Sequence, residues 1–142
     1  MIVRFALAGA LVALALSPAP LAAQQNAAPL TPDAVAARLT TMKGALRALV
    51  VAQEKHYADH GTYTTDPTAL GLLPRAADKK GEPLPQVIFA GGRGWSGIVV
   101  DFASRKSCVI YVGYADELPA IPMTRVDRTA AKNEGEPICD KP

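Results

Sequence analysis

The chain has 142 residues, with 15 Lys plus Arg against 13 Asp plus Glu, 11 Gly, 12 Pro, two His and two Cys. A net charge of +2 provides neither the basic footprint that nucleic acid demands nor an acidic field for cations, so composition argues against both classes of partner. The length suits one domain with one modest core.

Residues 1–23 have the order of a signal peptide. Arg4 supplies the positive charge, Phe5 to Leu16 is an unbroken apolar run of twelve, and Leu21-Ala22-Ala23 provides small residues before Gln24. Ser17-Pro18-Ala19-Pro20 breaks the run, which is shorter than the roughly 20 residues a membrane span needs. Cleavage near Ala23 is therefore expected to release a body of about 119 residues with no membrane anchor, periplasmic or extracellular. Loss of Arg4 leaves 14 basic residues against 13 acidic ones.

After a mobile lead-in over 24–31, Thr31-Pro32-Asp33 reads as a helix start. The Thr hydroxyl can accept from an orphan amide, Pro suits the first turn, and Asp faces the positive end of the helix dipole. Apolar residues then recur at Val35, Leu39, Met42, Leu46, Leu49 with Val50, and Tyr57, one stripe of a helix over 32–60 that stops at His60-Gly61. Residues 62–85 read as a loop, with a short helical turn near Thr68 to Leu72, because Pro67, Pro74, Gly81, Pro83 and Pro85 forbid long elements. Three strands are expected over 86–90, 95–102 and 106–114, joined by Gly91–Gly94 and Ala103–Arg105 as antiparallel hairpins. Ile98, Val100 and Phe102 share one face of the second run; on the third, Val109 and Tyr111 oppose Cys108, Ile110 and Val112, and one such face covers the helix stripe.

Residues 115–135 are irregular, and a short segment, Pro137 to Asp140, follows. In an oxidising compartment Cys108 and Cys139 read as one disulfide, with two free thiols or a metal pair as the alternative. The fold class is thus α+β: a long helix packed on a three- to four-stranded antiparallel sheet, with a disulfide-closed loop at the end. The domain spans 32–142.

In this order and spacing the chain resembles the globular domain of type IV pilins and of the pseudopilins of type II secretion. Three stretches carry the likeness: Ala52 to Tyr57 running through Asp59–Asp66 to Leu70–Pro74, Gly94–Gly97 leading into Lys106–Gly113, and Glu134 to Asp140. The resemblance implies a pilin-like fold and partners among pilus or secretion-system proteins or a surface ligand. The chain departs from the family where filaments are built. No Gly-Phe-x-x-x-Glu prepilin motif is present, and Pro18, Pro20, Pro29 and Pro32 interrupt any helix continuous with the apolar run. A separate hydrophobic peptide standing in for the missing half-helix would require an exposed apolar patch near Val35 and Leu39.

No residue is expected to be catalytic, and neither a cofactor nor a complete metal site is expected. His56 and His60, four apart, could share a helix face and bind a metal, but neither Glu54 nor Asp59 falls on that face as a third ligand. In Gly94-Trp95-Ser96-Gly97, the Gly that a nucleophile elbow needs two residues after Ser is Ile98, and the Ser enters a strand. These residues define the alternative reading, a small secreted metal-binding protein or hydrolase. Asp116, Glu117, Asp127, Glu134, Glu136 and Asp140 hold the densest acids, and the resemblance makes a calcium ion there an option, although no EF-hand pattern exists. The expected contact surface lies in the loop between the cysteines, with Asp116, Glu117, Arg125 and Arg128, together with Trp95 at a hairpin mouth. The leading expectation is an exported binding or structural module of the cell envelope.

Overall fold

The computed structural model describes residues 29–72 and 82–142. The expected leader and residues 24–28 of the lead-in lie outside them. The element order is α1 (Pro32–His60), β1 (Pro85–Ala90), β2 (Gly94–Asp101), β3 (Lys106–Gly113) and β4 (Ile138–Cys139), with one 3-10 turn at Ala115–Glu117. The strands form one antiparallel sheet in the order β1-β2-β3-β4, and α1 packs across it.

Both ends of α1 form as local chemistry dictates. Thr31 Oγ1 accepts from the Ala34 amide at 3.3 Å, Pro32 opens the first turn, and Gly61, at φ 71°, donates its amide to the Tyr57 carbonyl. The buried residues Leu39, Met42, Leu46, Leu49 and Gln53 fall at alternating spacings of three and four, the signature of a single buried stripe. Twenty-nine residues make a rod of about 43 Å, whereas an eight-residue strand covers only about 26 Å. The helix therefore overhangs the sheet. Val35 and Val50 are half-buried and Tyr57 is exposed at the margins of the contact. Of the patch that a separate hydrophobic peptide would need, Leu39 is buried and Val35 is half-buried.

The sheet chooses its helix-facing side by alternation. Trp95, Val99, Cys108, Ile110 and Val112 join the helix stripe in the main core. Gly97 lies between Trp95 and Val99, and a Cβ there would sit 3.0 Å from Leu49 Cδ2 and 3.1 Å from the Trp95 ring. That missing side chain lets α1 approach β2 closely. The opposite face holds a second cluster, Val109 and Tyr111 covered by Leu118 and Ala131, with Phe89, Ile98, Ile121 and Ile138 packed around it. The irregular tail is thus the second layer over the sheet.

The expected β2 ran to Phe102, but it stops at Asp101, whose carboxylate accepts from the amides of Ala103 (3.4 Å) and Ser104 (3.0 Å) and turns the chain. β1 carries a register shift between Val87 and Phe89. The segment expected to be helical near Thr68 is a turn, with Leu72 donating to the Pro67 carbonyl at 2.8 Å. Gly113, at φ 90°, is fixed by contact: a Cβ would lie 2.1 Å from the Arg93 carbonyl oxygen.

Cys108 and Cys139 are directly paired across β3 and β4 and form a disulfide, with Cα atoms 4.0 Å apart. With β4 only two residues long, that bond and the Asp140 amide donating to the Ser107 carbonyl (2.9 Å) hold the end of the tail to the sheet. Among the described residues no helix is long and apolar enough to cross a membrane.

Candidate functional site

Where the tail leaves the back of the sheet uncovered, the end of β2 and the start of β1 border a groove of about 600 Å³. Leu84, Ile98, Val100 and Phe102 give it an apolar floor and wall; Glu82, Arg38, Asp101 and Arg125 supply charge at its rim. The strand alternation that turns Val99 to the helix turns Ile98 and Val100 the other way, into this groove. Phe102 is 85% exposed, because Asp101 terminates the strand one residue earlier and no tail residue covers the turn.

One polar device lies in the groove, and a second, outside it, holds the turn that carries Arg125. Arg38 reaches from α1 to Asp101, its Nε 3.0 Å from Oδ2, although the N–H is not directed at the carboxylate, so the contact is an ion pair rather than a hydrogen bond. The second device is Asp140, 1% exposed. One of its oxygens accepts from the Ser107 amide (2.7 Å) and hydroxyl (2.9 Å), the other from the amides of Val126 (3.1 Å) and Asp127 (2.8 Å). Burial alone would raise the pKa of this carboxyl. The donors of Asp127, Thr124 and Ser107 outweigh burial and hold it below the usual carboxylate range.

Asp140 in this way wires the turn 124–129 to β3. Thr124 donates its amide to the Thr129 carbonyl (2.9 Å), the Thr129 amide returns to Thr124 Oγ1 (3.0 Å), and the Arg125 amide reaches Ser107 Oγ (2.7 Å). Arg128 sits at φ 54° at the tip. The backbone of the turn is spent on internal bonds, so the exposed side chains of Arg125, Val126 and Arg128 are displayed on a fixed frame.

The expected contact residues do not form one surface. Arg125 and Arg128 lie at the Lys106 end of β3. Asp116 and Glu117 lie beyond its Gly113 end, about 23 Å away along the strand. There Glu117 pairs with Arg93 (2.7 Å), which also covers the Tyr114 ring at 4.4 Å, while Asp116 is exposed. Trp95 is not a surface residue. It is 0% exposed, faces α1 in the main core, and its indole N–H has no partner among the described residues. The flanking glycines that suggested an open hairpin mouth instead admit close backbone packing. Ser96 is 2% exposed and lies on the central part of the sheet between β1 and β3.

The acids of the tail are likewise dispersed. Asp140 is saturated by donors, Glu134 accepts from the Gly113 amide (2.7 Å), and Glu136 accepts from Asn133 (2.5 Å). Among the described residues no group of three or more His, Cys, Asp or Glu is placed to hold a metal ion. The sequence does not mark Phe102 or Arg38 as site residues, and it presents Asp140 only as one acid of a possible calcium loop, whereas its carboxylate is taken up by backbone and hydroxyl donors. Alternation alone places Phe102 on a strand face, and the meeting of Arg38 with Asp101 depends on how far the helix overhangs the sheet. No protein-family model matches the chain, and no curated protein matches it.

Proposed function

We propose that the protein is an exported, non-enzymatic, pilin-like module that binds a protein partner in the cell envelope or at the cell surface. The partner class suggested by the sequence resemblance is a pilus or type II secretion component. The observation that carries the reading is the groove: an apolar floor with Phe102 almost wholly in solvent, beside a turn whose backbone is fixed and whose two arginines are exposed. An isolated exposed aromatic is ordinary, but one bordering an apolar groove and a rigid basic turn has the make-up of an interface centre with a polar rim. The order of charge, apolar run and small residues at 1–23, and a disulfide in the body, support the exported setting.

The test is site-specific photo-crosslinking in the native envelope, with the reactive residue placed at Phe102, at Arg125, or at Val51, which is 71% exposed on the solvent side of α1. Adducts with pilus or secretion proteins at 102 and 125, and none at 51, are expected. No adduct at the groove positions, or equal labelling at 51, would overturn the proposal.

A further inference from the structure

The last turn of α1 carries a second feature, remote from the groove. His56 and His60 stack with ring centroids 4.2 Å apart and planes 15° from parallel. The Nδ1 atom of His56 lies 2.9 Å from the Thr62 carbonyl oxygen, and that of His60 lies 3.0 Å from the His56 carbonyl oxygen. A carbonyl can only accept, so each Nδ1 carries the proton and donates. In the neutral ring Nε2 then keeps an open lone pair, the tautomer that a ligating imidazole needs with its other nitrogen bonded to a backbone carbonyl. Both rings border a surface cavity of about 320 Å³ between the helix end and the turn at Thr68–Gly71. Asp59 brings a negative charge to that cavity and Lys55 a positive one.

From this geometry we propose that His56 and His60 form a two-imidazole site for a borderline divalent transition ion of the Ni²⁺, Cu²⁺ or Zn²⁺ class. The paired tautomers are the reason for that class: neutral imidazole suits these ions, whereas Ca²⁺ and Mg²⁺ require oxygen. In the stacked arrangement the two in-plane lone pairs run nearly parallel, so chelation requires the exposed His60 ring to leave its contact with the His56 carbonyl and turn toward its neighbour, which would bring an ion about 2.0–2.1 Å from each nitrogen. Two protein ligands leave the remaining positions to water, so the site is open and exchangeable, not a structural centre. It joins the helix end, through Thr62, to the loop that leaves it. Binding is confined to the folded helix, where positions four apart lie on one face, and it therefore stabilises the native state.

Untagged full-length chain is titrated calorimetrically with NiCl₂ and ZnCl₂, and its melting temperature is followed with and without each metal. One saturable equivalent and a metal-dependent rise in Tm are expected. H60A removes an exposed ring that stacks on His56 outside the core, so this variant keeps the fold while weakening binding by about tenfold or more and abolishing the Tm rise. H56A is expected to lose binding equally, with circular dichroism confirming that the helix persists. In the Cu²⁺-loaded wild type, electron paramagnetic resonance should show two equivalent nitrogens, falling to one in H60A. Absence of saturable Ni²⁺ or Zn²⁺ binding, or binding undiminished in H60A, would overturn the proposal.

Discussion

Two side chains hold loops in place by standing in for backbone. Gln53 occupies a position in the apolar stripe of α1, yet it is polar and buried; its amide donates to the Thr64 carbonyl at 2.6 Å and its oxygen accepts from the Thr64 amide at 3.1 Å. It pairs with the loop as a neighbouring strand would. Asp140 does the same for the turn 124–129, with charge added. Because its folded-state pKa lies below the unfolded value, its contribution to stability is fully present above the ordinary Asp pKa of about 3.9 and is lost as pH falls through the lower folded value. D140N leaves an amide nitrogen facing donors, and is expected to cost about 1–3 kcal/mol and to flatten the acid limb of the stability profile. Urea denaturation of both proteins across pH 2–6 checks both the size and the disappearance of that limb (the range being about the span of carboxylate titration). At the alkaline side, burial and the hydrogen bond to Glu54 push the Tyr63 phenol up to about 12. Its stabilisation is present below the unfolded pKa of about 10 and erodes as pH rises toward the folded value.

At the scale of elements, what joins α1 to the sheet is as much an absence as a contact. Gly97 allows Leu49 to sit against the strand backbone, with the Gln86 carbonyl 3.2 Å from where its Cβ would be. G97V would push the helix off β2 or force Trp95 from its place, an overpacking cost of about 1–3 kcal/mol. A lowered denaturation midpoint with an unchanged helical signal is the expected result. The elements themselves were largely legible in the sequence. The stripe from Leu39 to Leu49, the Thr31 cap, the Gly61 stop and all three main strands follow from periodicity and punctuation, which are local properties. Trp95 was misread because its glycine neighbours signal a turn equally well whether the ring points out or in. Alternation gave two faces for each strand without saying which one α1 would cover. That choice depends on the packing of Leu49 over Gly97, a relation between residues 48 positions apart. The groove was illegible for the same reason, being assembled from α1, β1, β2 and the tail.

For the whole molecule, the sheet is covered twice: on one side by α1, on the other by chain that lacks regular structure and is held by side chains and one covalent bond. The loop between the cysteines, with a sequence separation of 31, corresponds to about 3–4 kcal/mol of unfolded-state entropy. The double variant C108A/C139A is expected to lose about that much, and to lose it unevenly. Hydrogen exchange should accelerate first over 118–140, where the tail lies on Val109 and Tyr111, while the amides of α1 between Leu39 and Gln53 keep more of their protection. Uniform loss of protection would mean that the two layers unfold as one unit.

The position of the Asp140 and Cys139 latch along the chain has a consequence for the order in which the fold can be completed. Phe89 and Ile98 flank Val109 and Tyr111 within the sheet, but the tail residues that cover them, Leu118, Ile121, Ala131 and Ile138, all lie downstream, and the latch pair Cys139 and Asp140 comes after all of these. A chain emerging from its N-terminal end can dock α1 on the hairpins as soon as β3 is out. The reverse of that sheet then stays wet, with its apolar face open, until residue 140 has also emerged. During that interval the unfinished protein presents a surface the finished one does not, and a chaperone or a disulfide-forming catalyst would meet it there.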